Sequence, residues 1–282
     1  MRKENVPIDV LVTLNENYME PLKVMLTSLH HNNLEENFRI WVIHESIGPK
    51  KMSDLKKLTD YFGWELHNEQ ITKNWLDKAP TIKRYPKEMY FRLLCGEILP
   101  QDVKKVIYLD PDILVINPIN DLWEVDLEGN MIAAATHTGI TNLTSEINKI
   151  RLGTDHEYFN SGVMLLDLEK TRANVNLEDI LGVIEKHGAE LLLPDQDVLN
   201  FLYGKHIKEV PEEIWNYDTR KAVSYYARSL SKHDLQWVIS NTVILHFCGQ
   251  PKPWNPNSDS RFTALYLHYM QLLTRLEKNF LG

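Results

Sequence analysis

The sequence predicts an α/β fold in which a parallel-stranded sheet is joined by crossover helices. Three observations carry that expectation. Apolar, β-branched runs alternate with helical patterns from Ile8 to His67. The most strand-like run, Val106–Asn117 (VIYLDPDILVIN), is interrupted by Asp110-Pro111-Asp112. Polar, glycine-bearing segments sit beside later strand candidates, and α/β folds bind ligands at strand ends.

The elements follow in order. Ile8–Thr13 (IDVLVT) reads as a strand, and Leu22, Met25, Leu26 and Leu29 recur at helical spacing. Phe38–His44 is the next strand. Met52, Leu55, Leu58 and Phe62 mark a second helix, stopped by Gly63, and Trp64–His67 is a weaker strand. This order makes Leu14–Tyr18 a candidate ligand loop. It carries no GxGxxG, and the chain has no GxxxxGK[ST], so dinucleotide and P-loop chemistry are not expected. Residues 68–86 read as irregular. Lys87–Leu99 reads as one helix with Tyr90, Leu94 and Ile98 on a face, ended by Pro100. Strands are expected at Lys105–Asp110, Ile113–Ile116, Met131–Thr136, Phe159–Leu168 and Val243–Phe247. Helices are expected at Leu177–Lys186 and Gln196–Leu202. Phe262–Leu276 is amphipathic and is expected to pack on the body of the protein.

The bulk numbers narrow the function. The chain has 282 residues, is 43% hydrophobic and 25% charged, and carries a formal net charge of −8. That size suits one large α/β domain, or a main domain with a C-terminal elaboration. The acidic balance argues against a nucleic-acid binder. Cys95 and Cys248 do not make a disulfide framework, which fits a reducing compartment. The start, MRKENVPIDV, has no apolar signal core, and no apolar run approaches the ~18–20 residues of a membrane span. The expectation is a cytoplasmic protein with at most peripheral contact at the inner face of the membrane.

Four segments can carry chemistry. Pro111 fixes its φ and lacks an N–H, so the strand must stop or bulge there. Asp110 and Asp112 at i and i+2 can then point to one side. Two close carboxylates repel unless a cation neutralises them or one is protonated; a divalent metal would do the first, and hard Mg²⁺ or Mn²⁺ prefers oxygen ligands. The bland alternative is a polar turn. In VILHFCGQPKPW, His246 suits Mn²⁺, Gly249 permits close approach and Lys252 offers a charge for phosphate. His246 alone also reads as a structural histidine. In LPDQDVLN, Asp195 reads as a helix cap, but Gln196 and Asp197 exceed what a cap requires. In FNSGV, Asn160 and Ser161 can bind hydroxyls while Gly162 keeps the backbone accessible; the alternative is a β-turn.

Taken together, YLDPDILV, FNSGVMLLDL, DQDVLN and HFCGQPKPW, in that order, resemble glycosyltransferase family 8 over roughly residues 8–256. The family includes bacterial lipopolysaccharide galactosyl- and glucosyltransferases and glycogenin. The resemblance implies the A-type glycosyltransferase fold, a Rossmann-like mixed sheet flanked by helices. It also implies a transferase domain over 1–256 with a small helical elaboration over 257–282. The activity implied is retaining transfer of a hexose, glucose or galactose, from a UDP-sugar to a glycan or glycolipid, with Mn²⁺ or Mg²⁺ as cofactor. Asp110, Asp112 and His246 match the metal ligands, with Pro111 inside the donor-binding motif. Thr13, Asn15, Asn17 and Tyr18 fall in the uridine and ribose loop, Tyr18 as a stacking partner. Arg92 matches a sugar or phosphate arginine. Gly249 and Lys252 match a phosphate clamp, and Asn160, Ser161, Asp195 and Gln196 match the donor-sugar face.

An amide at Gln196 is a poor nucleophile, which favours a front-face path; Asp195 is the alternative nucleophile. Asn15 stands where an acid is common, Pro111 where a small or aliphatic residue is usual, and His137 where acceptor contacts are expected. Two other readings compete. A haloacid-dehalogenase-type phosphatase also uses DxD, though normally after the first strand. A non-catalytic nucleotide-sugar binder is the second.

Overall fold

The computed structural model describes residues 6–71, 88–136, 149–188, 191–258 and 260–280. Its centre is a seven-stranded mixed sheet in the order β3-β2-β1-β4-β7-β6-β8. The strands are β1 (Ile8–Thr13), β2 (Phe38–His44), β3 (Glu65–Gln70), β4 (Lys105–Leu109), β6 (Ile132–Thr136), β7 (Phe159–Asp167) and β8 (Ile207–Val210). β1 runs parallel to β2 and β4, whereas β7 is antiparallel to both β4 and β6. A three-stranded sheet adds β5 (Ile113–Val115), β9 (Tyr217–Asp218) and β10 (Ile244–His246), in the order β5-β10-β9.

The side-chain alternation of β1 explains the layers. Val10 and Val12 face one core with Leu22, Met25, Leu26 and Leu29 of the helix Met19–Asn32. Leu11 faces the other, with Trp41, Tyr108, Phe91 and Val198. The C-terminal helix Thr263–Phe280 joins the first core through Tyr266, Tyr269 and Leu273. Lys23 Nζ donates to Glu277 at 2.6 Å, and Asn32 Nδ2 to the Tyr269 hydroxyl at 2.8 Å, tying that helix to Met19–Asn32. No helix among the described residues is long and apolar enough to cross a membrane.

Two readings change. Lys87–Leu99 is not one helix: Glu88–Phe91 and Cys95–Ile98 are separate four-residue helices. The Arg172 guanidinium, from a distant segment, takes the carbonyls of Gly96 (2.9 Å), Pro100 (2.7 Å) and Val103 (3.0 Å) and fixes this stretch as a turn-rich connection. The weak strand at Trp64–His67 extends to Gln70, because β3 pairs with β2 along its full length. Strands β8 and β9 are too short to show a period in sequence.

The same topology positions the site. β4 and β5 are nearly continuous in sequence yet lie in different sheets, and Asp110-Pro111-Asp112 is the crossing point. The Asp110 N–H donates to Gly162 O at 2.8 Å, and the Phe247 N–H donates to Asp112 O at 3.0 Å. The first bond anchors the crossing to β7, the second to the end of β10. That brings together three segments lying far apart in sequence.

Candidate active site

Asp110, Asp112 and His246 each offer one ligand atom, and these atoms lie within 4.8 Å of one another. His246 Nε2 is 3.4 Å from Asp112 Oδ1 and 3.9 Å from Asp110 Oδ2. The other ring nitrogen, Nδ1, donates to Asn216 Oδ1 at 2.8 Å, which turns Nε2 toward the carboxylates. Asn216 in turn donates to Asn160 Oδ1 at 2.7 Å, and that oxygen also accepts from the Gly162 N–H at 2.8 Å. Gly162 is required here: a Cβ would overlap the His246 ring and sit 2.6 Å from Asp110 Oδ2. Two carboxylate oxygens and an oriented imidazole nitrogen fit a divalent ion that accepts both donor types.

The electrostatics are divided between the two aspartates. Burial pushes the Asp110 carboxyl above its usual range, although Arg92 pulls the other way. Burial also opposes ionisation of Asp112, but His246 and Lys252 outweigh it and hold that carboxyl well below the usual range. Lys252 Nζ donates to Asp112 Oδ2 and, at 2.9 Å, to Phe247 O. The Tyr108 hydroxyl donates to Asp110 Oδ1 at 2.6 Å and lies 3.2 Å from the Thr13 hydroxyl.

Opposite the triad stands the start of the helix Pro194–Tyr203. Arg92 is buried between Asp110 (3.1 Å) and Asp195 (3.2 Å), not in a surface salt bridge. Its Nη1 also donates to Ser161 O at 3.1 Å, and the Ser161 hydroxyl donates to Asp195 Oδ2 at 2.9 Å. Gln196 Oε1 accepts from Asn160 Nδ2 at 3.1 Å, while its buried Nε2 has no hydrogen-bond partner among the described residues. The two walls enclose a cavity of about 470 Å³.

Arg92, Asp110, Asp112, Asn160, Ser161, Asp195, Gln196, His246 and Gly249 all line this cavity. Lys252 reaches it through Asp112. Pro111 is buried at the crossing and only shapes it. Thr13, Asn15, Asn17 and Tyr18 do not line it. Asn15 Oδ1 caps the 3₁₀ turn Glu16–Tyr18 by accepting from the Asn17 N–H at 3.0 Å. Burial raises the Tyr18 hydroxyl pKa, Lys252 pulls it down and Asp112 and Asp110 push it up, and its ring meets Trp254 edge-on at 6.1 Å. His137 lies outside the described residues. Sequence reasoning missed Asn216 and Arg220, which sit in IWNYDTRK, a stretch with no motif or period.

Comparison with known proteins identifies the family. The family model for glycosyl transferase family 8 matches residues 9–258. General stress protein A of Bacillus subtilis (strain 168) is 30% identical over 96% of this chain and 95% of its own length. A lipopolysaccharide 1,2-glucosyltransferase of Escherichia coli is 25% identical over 86% of this chain and 71% of its own. The galactosyltransferase LgtC, solved with donor and acceptor sugar analogues, superposes with a TM-score of 0.80 at 22% identity, covering 95% of this chain and 96% of that one. The chain therefore belongs to glycosyl transferase family 8 and is a glycosyltransferase with the A-type fold.

Proposed function

We propose that this glycosyltransferase moves a hexose, glucose or galactose, from a UDP-hexose to a glycan or glycolipid acceptor, with retention at the anomeric carbon and with Mn²⁺, or Mg²⁺, as cofactor. The observation that carries the reading is the Asp110–Asp112–His246 triad, backed by Lys252 and opening into the cavity that holds Asp195 and Gln196. The name of the E. coli relative supports a lipopolysaccharide-type acceptor.

Asp110, Asp112 and His246 would hold the metal, which when bound supplies positive charge for the leaving diphosphate. Lys252 adds a fixed cation on the same side, so negative charge developing there meets preorganised donors. Gly249 keeps the backbone close to those phosphates. Thr13, Asn15, Asn17 and Tyr18 form the nucleoside side. Arg92 bridges the two walls, and Asn160 and Ser161 orient the sugar.

The geometry favours the front-face path. Asp195 Oδ2 already accepts from the Ser161 hydroxyl and faces the Arg92 guanidinium, which weakens it as a nucleophile. Gln196 Nε2 is a donor in want of an acceptor and suits a sugar hydroxyl. We place the transferase unit at residues 1–256, with 257–282 as a helical elaboration on it. The enzyme would act in the cytoplasm, touching a membrane only peripherally.

A panel of UDP-sugars with Mn²⁺, scored by UDP release, tests the proposal. One UDP-hexose should be hydrolysed slowly, EDTA should abolish the signal and added Mn²⁺ should restore it. UDP release indifferent to EDTA would overturn the metal assignment. Phosphomonoester hydrolysis without UDP release would overturn the UDP-hexose reading.

A further inference from the structure

A second cavity of about 350 Å³ adjoins the first, and the roles assigned above leave it unused. Arg220 and Cys248 line both, so they form the shared wall. The second cavity has an apolar floor that includes Phe247, and Ser258 and Ser260 stand on its rim beside Arg261. Asp259, between the serines in sequence, lies outside the described residues; among the described residues no carboxylate lines the cavity.

The two arginines differ in how they are held. Arg220 is fixed by Asp218, which accepts from Nε at 3.0 Å and from Nη2 at 2.7 Å. Its remaining nitrogen, Nη1, lies over Gly249, where the backbone is left-handed (φ 72°) and where a Cβ would collide with it. Glycine at 249 thus makes room for the guanidinium at the junction of the cavities. Arg261 is exposed and makes no ion pair with any described residue. A guanidinium presents planar, forked N–H donors that match phosphate and carboxylate oxygens. Two of them line a hollow with no carboxylate among its described lining residues; Asp218 offsets the charge of Arg220, so Arg261 supplies the net positive charge there.

We propose that the second cavity binds an anionic group of the acceptor, a phosphate or a carboxylate, through Arg220 and Arg261. This rests on the transferase reading. The cavity shares its wall with the chamber of Asp195 and Gln196, so a molecule seated in it lies beside the reacting face. The donor diphosphate is drawn elsewhere, to the triad and Lys252.

The binding test needs no turnover. Glycerol phosphate is titrated by calorimetry into protein saturated with UDP and Mn²⁺, so the donor's own phosphate site is filled. The wild-type protein should bind it. Arg261→Gln and Arg220→Gln should each weaken binding at least tenfold, and Arg261→Lys should retain most of it. No binding, binding unchanged in Arg261→Gln, or binding only when UDP is omitted would overturn the proposal.

Turnover then separates the two anion sources. A neutral disaccharide, its phosphomonoester and its uronate counterpart are compared as acceptors with the hydrolysed UDP-hexose. One anionic member should exceed the neutral one at least tenfold in kcat/KM, and Arg261→Gln should erase that ratio. Equal values for all three would overturn the acceptor assignment. Absence of any UDP-hexose turnover, with Arg261-dependent anion binding intact, would overturn the UDP-hexose reading and leave the anion site standing.

Discussion

Asp112 and Asp197 are both buried carboxylates held below the usual range, yet their surroundings differ in kind. Asp197 accepts from Arg151 Nη1 (2.9 Å) and Nη2 (2.6 Å), the Tyr158 hydroxyl (2.6 Å), and the N–H groups of Leu192 (2.7 Å) and Leu193 (3.1 Å). All its donors come from the protein, and none of its surface is exposed. The cluster ties residues 151–158 to the start of the helix that presents Asp195 and Gln196. Asp112 has one oxygen on Lys252, while the other faces His246 across 3.4 Å and opens on the 470 Å³ cavity beside Asp110. A carboxylate whose acceptor sites are filled by the chain holds structure. One left partly unfilled next to a second carboxylate is arranged for a ligand.

The strongest way to break that contrast is to neutralise each carboxylate in turn. Asp112→Asn should lower UDP release by ~10³-fold, because the charge stabilising the leaving group is lost. Its melting temperature should fall as well, because the buried Lys252 ammonium loses its carboxylate partner, but relief of the repulsion from Asp110 should keep that fall below the one for Asp197→Asn. Asp197→Asn should do the reverse. Breaking this buried pair costs about 3 kcal/mol, or roughly 6–12 °C in a chain of this size. Protein still folded at low temperature should keep UDP release within about tenfold of wild type. Equal activity losses in the two folded variants would erase the division between holding and binding.

A finer test lies one bond behind the triad. Asn216→Ala removes the acceptor that orients the His246 ring, without touching the three ligand atoms. Such outer partners are worth 10–100-fold in metal affinity, so the Mn²⁺ concentration for half-maximal binding should rise by about that factor. Calorimetry reads this without turnover. Unchanged affinity would show that packing alone fixes the imidazole.

These residues also show what the sequence carries and what it hides. The DPD crossing was legible because proline cannot continue a ladder and two aspartates resist burial. Gly162 was legible as a close-approach position, and the structure supplies the reason: His246 and Asp110 occupy the space of its Cβ. Asn216 was not legible. Its place depends on β9, two residues long, pairing in parallel with β10 from about 30 positions away. Arg220 was hidden for the same reason, since its position depends on Asp218 at the end of that strand. The false single helix at Lys87–Leu99 came from a periodicity that is real locally but is overruled by Arg172, a residue 69–76 positions away.

The smallest expected effect is on the acid limb of stability, and it asks whether Asp197 works through charge. Burial alone would raise its pKa, but the Arg151 and Tyr158 hydrogen bonds outweigh burial and lower it. A carboxyl depressed in the folded state stabilises the protein above its unfolded pKa of about 3.9, and loses that contribution as pH falls through the folded value. Asparagine at 197 cannot titrate. The gap in melting temperature between wild type and Asp197→Asn should therefore be flat from about pH 7 to pH 5 and narrow progressively below about pH 4. Titrations common to both proteins cancel in the difference. A gap that stays constant down to about pH 2.5 would mean that Asp197 holds the helix by shape and hydrogen-bond geometry rather than by charge. The contrast with Asp112 would then be one of packing against electrostatics.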